Sequence, residues 1–170
     1  MSVDEDREYS DYVSAALDRL RRTAFLLCGD VHRADDIVQA TLIAVYARWS
    51  KVRAAGNVDG YVHRILMRRY IDEQRKGWAR VLLTWPATER AAKPGRDLED
   101  ADAIAQALKS LSRGQRAVLV LRFFCDKSVE ETAAILGCST GTVKSQTARG
   151  LAAMRNLLNG QWTAAGTRSA

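Results

Sequence analysis

The sequence predicts an all-α chain of two small helical domains joined by a flexible linker, and three observations carry that prediction. Prolines occur only at Pro86 and Pro94 among 170 residues, so the Ala-, Leu- and Arg-rich flanks lack the strongest helix breaker. Apolar residues recur at helical spacing from about Tyr9 to Arg80 and again from Ile104 to Leu158. Between those stretches, Trp85-Pro86-Ala87-Thr88, then Lys93-Pro94-Gly95, then the acids Asp97, Glu99, Asp100 and Asp102 break the period. The expected division is 1–80 for the first domain, 81–103 for the linker, 104–159 for the second domain and 160–170 for a frayed tail.

Composition narrows the function classes. Hydrophobic residues make up 47% of the chain, enough for true cores. A net charge of +6 and a pI near 9.5 suit a polyanionic partner. Cys28, Cys125 and Cys138 show no C-x-x-C spacing and only His32 and His63 accompany them, which argues against a zinc site. Their odd number argues against a disulfide framework, so they read as small buried apolar residues in a reducing cytoplasm. No run approaches the roughly 20 apolar residues needed to span a bilayer. Asp4, Glu5, Asp6, Glu8 and Asp11 make the N-terminus the opposite of a secretory leader. The expectation is a cytoplasmic protein with no membrane insertion, no metal and no cofactor.

In the first domain, Val38, Leu42, Val45 and Trp49 form a helical core stripe. Asp35, Asp36 and Gln39 lie off it on one exposed side. Taken alone they read as the solvated start of a helix, where acids favour the macrodipole by about 0.3–1 kcal/mol each. A second helix is expected from an N-cap at Asp59, with Tyr61, Val62, Ile65 and Leu66 apolar. Arg64, Arg68 and Arg75 fall within a narrow arc at about 100° per residue. That basic stripe, beside Tyr61, Tyr70 and Trp78, suits a nucleic-acid strand, with charge for phosphates and rings for bases. A merely solvated basic face fits the same pattern. His32 and His63 read as surface or second-face residues.

In the second domain, Ser128 with Glu131 forms a capping box, and Val129, Ala133 and Leu136 follow at helical spacing. Gly137 supplies the left-handed residue that ends this helix, and Ser139 caps the next. Val143, Leu151, Met154 and Leu158 are expected to line the inner face of that helix. Thr142, Ser145, Gln146 and Arg149 lie opposite, and Lys144 sits nearer the core flank. This is a helix-turn-helix with its recognition helix second.

Taken together, the motifs resemble the extracytoplasmic-function type of bacterial sigma-70 factors over roughly Asp11 to Leu158. Asp35-Asp36-Ile37-Val38-Gln39-Ala40-Thr41-Leu42 is similar to the family's core-binding helix, and Tyr61-Val62 through Asp72 and Arg75 to its promoter-melting helix. Leu111-Ser112-Arg113-Gly114-Gln115-Arg116-Ala117-Val118 resembles the entry into region 4. Gly141-Thr142-Val143-Lys144-Ser145 with Arg149-Gly150-Leu151 resembles its recognition helix. Where the family usually has Asn, Trp and Pro, this chain has Arg68, Tyr61 and Ser112, and it has Gln146 where basic residues are common.

The resemblance implies a region 2 domain, then a linker, then a region 4 domain, and a factor that does no covalent chemistry. It assigns Asp35, Asp36 and Gln39 to the β′ clamp of core RNA polymerase, with the β flap as a further contact. Tyr61, Arg64, Arg68, Arg69, Arg75 and Lys76 fall to the −10 element, with the Lys51-to-Asp59 loop shaping a pocket for a flipped base. Thr142, Lys144, Ser145, Gln146 and Arg149 fall to the −35 element, Lys144 on phosphate and Ser145 and Gln146 on base edges. An anti-sigma factor is a further partner the family implies. A stand-alone helix-turn-helix regulator of duplex DNA is the alternative, although it leaves the first domain without a role. An enzyme built on Asp35 and Asp36 lacks convergent partners.

Overall fold

The computed structural model describes residues 2–83 and 99–166, with side chains described for 2–73 and 103–159. Within these residues the chain is helical and contains no strand. The contacts form two compact units, one on each side of Gly95.

The first unit holds α1 (Val3–Cys28), α2 (Val31–Tyr46), α3 (Trp49–Ala54) and α4 (Val58–Leu83). Ser2 starts α1 with a capping box: Glu5 N–H donates to Ser2 Oγ at 3.3 Å, and Ser2 N–H to Glu5 Oε2 at 3.0 Å. Gly29, at φ 70°, ends the helix in the left-handed region. Asp30 then caps α2 by accepting from Arg33 N–H at 2.9 Å. Asp35 and Asp36 therefore sit in the second turn, beyond the reach of the helix-end dipole. Asn57, not Asp59, caps α4, accepting from Gly60 N–H at 2.8 Å. Asp59 is instead a first-turn residue paired with Arg19 at 2.6 Å.

Leu20, Leu27, Val38, Val45, Val52, Val62, Leu66, Met67 and Tyr70 make the core of this unit. Trp49 is buried as expected but belongs to α3, and Leu42 is half-buried, its carbonyl accepting from Tyr9 Oη at 2.9 Å. Tyr9 meets Tyr46 and Trp49 edge-on, with ring centroids 5.0 and 5.4 Å away, which ties α1 to α2 and α3. Arg33 and Glu73, at 2.9 Å, tie α2 to α4.

The second unit holds α5 (Glu99–Lys109), α6 (Arg113–Leu119), a π-helical turn (Val120–Phe124), α7 (Val129–Leu136) and α8 (Thr140–Gly166). The boundaries expected near residues 80, 103 and 159 thus fall inside α4, α5 and α8; residues 84–98 and 167–170 lie outside the described residues. Ser112 caps α6 through Gln115 N–H at 3.3 Å, a task its hydroxyl performs where proline has none. The π turn is closed by Cys125 N–H on Val120 O at 3.0 Å. The chain then reverses through Asp126 at φ 52°, a conformation Asp tolerates better than most residues. Cys28 is buried as expected, but Cys125 and Cys138 are partly exposed.

A buried cation joins the first two helices of this unit. Arg116 donates from Nε to Leu108 O at 2.8 Å, and from Nη2 to Lys109 O at 2.7 Å and Leu111 O at 3.2 Å. Those carbonyls belong to the end of α5 and the turn after it; Leu108 O also accepts from Leu111 N–H at 3.0 Å, so Arg116 adds a second donor there and serves the carbonyls beyond it. Arg116→Met keeps the volume and removes the donors, and should cost about 3 kcal/mol in urea denaturation of the full chain. An unchanged midpoint would show that water serves these carbonyls equally well.

Candidate functional site

The helix-turn-helix is built from local caps. Glu131 N–H donates to Ser128 Oγ at 3.0 Å and Ser128 N–H to Glu131 Oε2 at 2.7 Å, so α7 begins with a capping box. Gly137, at φ 68°, ends it, and Cys138 N–H reaches back to Ala133 O at 3.1 Å. Cys138 also packs on the cluster of Val118, Ala133 and Val143, the apolar contact that usually accompanies such a turn. Ser139 starts α8 by accepting from Thr142 N–H at 3.1 Å.

Two positions seat α8. Val143 is fully buried, and Gly150 lies so near Leu119 that a β-carbon there would come within 3.1 Å of Leu119 Cγ and Cδ1. The inner face therefore runs through Val143, Thr147, Gly150 and Met154. Leu151 and Leu158, expected to face inward, are each 41% exposed. The sequence pattern chose the bulky leucines, whereas the packing chose glycine because α6 comes close at that point.

With that face turned in, Thr142, Lys144, Ser145 and Arg149 are exposed and Gln146 is half-buried. Lys144 is open to solvent rather than sheltered at a core flank, and neither it nor Arg149 has an ion-pair partner among the described residues. Thr142 Oγ1 lies 2.9 Å from Ser139 Oγ, and Ser145 Oγ donates to Thr142 O at 3.1 Å. Both hydroxyls are engaged locally and must rotate to meet a ligand.

In the first unit α4 separates a buried face from a charged one. Val62, His63, Leu66, Met67 and Tyr70 are buried; Arg64, Arg68 and Arg69 are exposed and unpaired among the described residues. Two expectations need correction. Tyr70 is 1% exposed, so it is a core residue and offers no ring to a base. His63 is not a surface residue: it is buried, with Nδ1 2.8 Å from Asp59 O. Tyr61 is half-buried and keeps part of its ring open. Arg75 and Lys76 lie on α4, but their side chains, like that of Trp78, are outside the described residues. Much of the Lys51-to-Asp59 segment is helix α3 rather than loop, and Arg53 in it pairs with Glu8 at 2.7 Å.

The acidic group on α2 splits. Asp36 and Gln39 are exposed, whereas Asp35 is partly covered and bound by Arg21 Nε at 3.0 Å. One helical turn further, Ile43 is 70% exposed, and Tyr46 extends the same stripe. Ile43 was missed in the sequence; its signal was an isoleucine lying off the Val38, Leu42 and Val45 core stripe. Among the described residues no cluster of His, Cys, Asp or Glu is suited to a metal ion.

Two family models match the chain: Sigma-70 region 2 over residues 12–80 and Sigma-70 region 4 over residues 101–154. The RNA polymerase sigma-E factor of Streptomyces coelicolor is 36% identical over 156 residues, covering 89% of this chain and 86% of that protein. The extracytoplasmic-function sigma factor SigM of Mycobacterium tuberculosis is 31% identical over 144 residues, covering 82% of this chain and 71% of that protein. Among solved structures, the sigma factor RpoE of Bartonella quintana, crystallised with the anti-sigma factor NepR, superposes with a TM-score of 0.78. It is 28% identical, and the match covers 90% of this chain and 98% of that one. CnrH, solved with the cytosolic domain of CnrY, shares the fold at a TM-score of 0.61 and 22% identity.

The seat of α8 makes a direct prediction. Gly150→Leu should push α8 off Leu119 and weaken duplex DNA binding about ten-fold or more while α1 to α4 stay folded, an overpacking cost of roughly 1–3 kcal/mol. DNA binding by the full chain at wild-type strength would show that α8 does not depend on this contact.

Proposed function

The chain belongs to the sigma-70 family, in its extracytoplasmic-function branch, and from that membership we propose how its two units divide the work of transcription initiation. It is a sigma factor: it binds core RNA polymerase and promoter DNA and confers promoter-specific initiation. Such a factor acts by binding, and we assign it no catalytic residue. The observation that carries the division is the opposite character of α2 and α4. One exposes an acidic and apolar stripe, the other three unpaired arginines, both anchored to the same core.

Asp36 and Gln39 of α2 are our candidates for the β′ clamp of the polymerase, with Ile43 adding an apolar contact beneath them. Carboxylates facing arginines set orientation and on-rate, and a desolvated apolar group adds affinity. Asp35 contributes only if it exchanges Arg21 for a polymerase cation. That exchange is cheap, because a pair this exposed is worth about 0–1 kcal/mol. The second unit is the candidate for the β flap.

On the DNA, Arg64, Arg68 and Arg69 hold the backbone of the −10 strand, and Arg75 and Lys76 of the same helix are assigned to that strand by the family's pattern. Tyr61 is the ring best placed to stack on an unpaired base. One stacking contact is worth about 1–3 kcal/mol, similar to the cost of unstacking a base, so a few such contacts bias the duplex toward opening. In the second unit α8 enters the −35 major groove. Lys144 takes phosphate, Ser145 and Gln146 take base edges, and Thr142 and Arg149 take either. A factor acting on chromosomal promoters works in the cytoplasm, and no helix among the described residues is long and apolar enough to cross a membrane. The anti-sigma factor bound to the Bartonella relative supports the reading that a protein of this kind also restrains this chain.

Asp36→Arg should reduce affinity for core polymerase by about ten-fold or more, as like charges meet at the docking surface, while circular dichroism is unchanged. Wild-type affinity would remove α2 from the interface. Replacing Arg64 and Arg68 together by Ala should lower open-complex formation, read by permanganate reactivity of unpaired thymines, more than binding to closed duplex. Equal loss in both assays would reduce these residues to electrostatic anchors.

A further inference from the structure

Gln146 is the only half-buried member of the recognition-helix set, and a second helix provides its cover. A β-carbon placed on Gly114 would lie 3.4 Å from Gln146 Nε2, 3.6 Å from Cδ and 4.0 Å from Oε1. The amide thus faces the side of Gly114 that carries no side chain, in the first turn of α6. Nothing in that backbone calls for glycine. Gly114 sits within a regular helix, and the left-handed glycines among the described residues are Gly29, Gly56 and Gly137. Glycine within a helix is unfavourable relative to alanine. Its small size leaves room for the amide, room that alanine would keep and a larger side chain would fill.

We propose that Gly114 is a specificity-positioning residue: by leaving space for the Gln146 amide on α6, it sets the direction from which Gln146 meets a base edge of the −35 element. The proposal rests on the assignment of Gln146 to a base edge. A glutamine amide can donate and accept at once, which suits the paired acceptor and donor that adenine presents in the major groove. That pairing demands one orientation, and a free glutamine would lose much rotamer freedom on adopting it. Held against Gly114, the amide has part of that restriction imposed before DNA arrives. The residue at 114 therefore acts on sequence preference without touching DNA.

Substitution size separates the cases. A methyl group at 114 makes ordinary contact with the amide, so Gly114→Ala leaves Gln146 where it is. Gly114→Leu claims the space and drives the amide outward; Gly114→Val does so with a shorter side chain.

The test uses the full chain bound to core RNA polymerase and a promoter library randomised across the −35 element, with thermal melting as the folding control. Gln146→Ala should lower discrimination at one base-pair position about five-fold or more. Gly114→Leu and Gly114→Val should change preference at that same position and leave the others within about two-fold, while Gly114→Ala keeps the wild-type profile. In the Gln146→Ala background, Gly114→Leu should change nothing further at that position. The proposal is overturned if either bulky variant keeps its melting midpoint and the wild-type preference. It is overturned equally if they weaken all positions alike, or act as strongly without Gln146. Should Gln146→Ala itself alter no position, the base-edge assignment fails and this inference fails with it. A normal Gln146→Ala effect with inert Gly114 variants removes the inference alone.

Discussion

Arg64, Arg68 and Arg69 project from α4 without an ion-pair partner among the described residues, and the helix keeps its place because its other face is buried. Like charges one turn apart cost an isolated helix about 0.2–0.5 kcal/mol per pair. Burying a single large apolar side chain returns about 1.5–3 kcal/mol. Val62, Leu66, Met67 and Tyr70 are all at or below 2% exposure, so packing outweighs the repulsion several times over. The same constraint governs α8. Lys144 and Arg149 remain open to a ligand because Val143 and Gly150 fasten the opposite side to α6. In both units the binding surface is what remains after the apolar face has been satisfied.

The pairs Arg19 with Asp59, Arg33 with Glu73 and Arg53 with Glu8 link helices within the first unit. They fix helix against helix. Arg21 with Asp35 is different, because it occupies one carboxylate beside the proposed polymerase-docking stripe. Asp36 and Ile43 then become the principal polar and apolar groups of that stripe. Arg116 represents the opposite use of an arginine: withdrawn from solvent and spent on carbonyls at the end of α5, it belongs to the frame and not to the surface.

How far the sequence could be read follows from how local each feature is. The Ser128 capping box, the left-handed Gly137 and the Ser139 cap involve residues at most a few positions apart, and all three form as the sequence implies. The two-domain helical organisation was legible from periodicity and the placement of two prolines. Features that depend on a distant neighbour were not. Tyr70 and His63 look like surface groups of a basic helix until α4 is seen to turn them inward. Leu151 and Leu158 look like core until the approach of Leu119 to Gly150 rotates α8. Asp59 was an equally good cap by chemistry, and only the start of α4 two residues earlier gives that role to Asn57. Of the proposed docking residues, Asp36 and Gln39 are exposed as their place off the core stripe implied, whereas nothing in sequence spacing linked Arg21 to Asp35 or marked Ile43 as exposed.

On the proposed division of roles, one chain carries both promoter contacts and the polymerase contact, so that initiation depends on its presence. Run-off transcription with purified core RNA polymerase on a randomised promoter library tests this most directly. Transcripts are expected only when the chain is added, with selection of two conserved blocks at the spacing of −35 and −10 elements and loss of transcript with Asp36→Arg. A chain that binds one duplex block without core enzyme and yields no transcript with it would contradict the account.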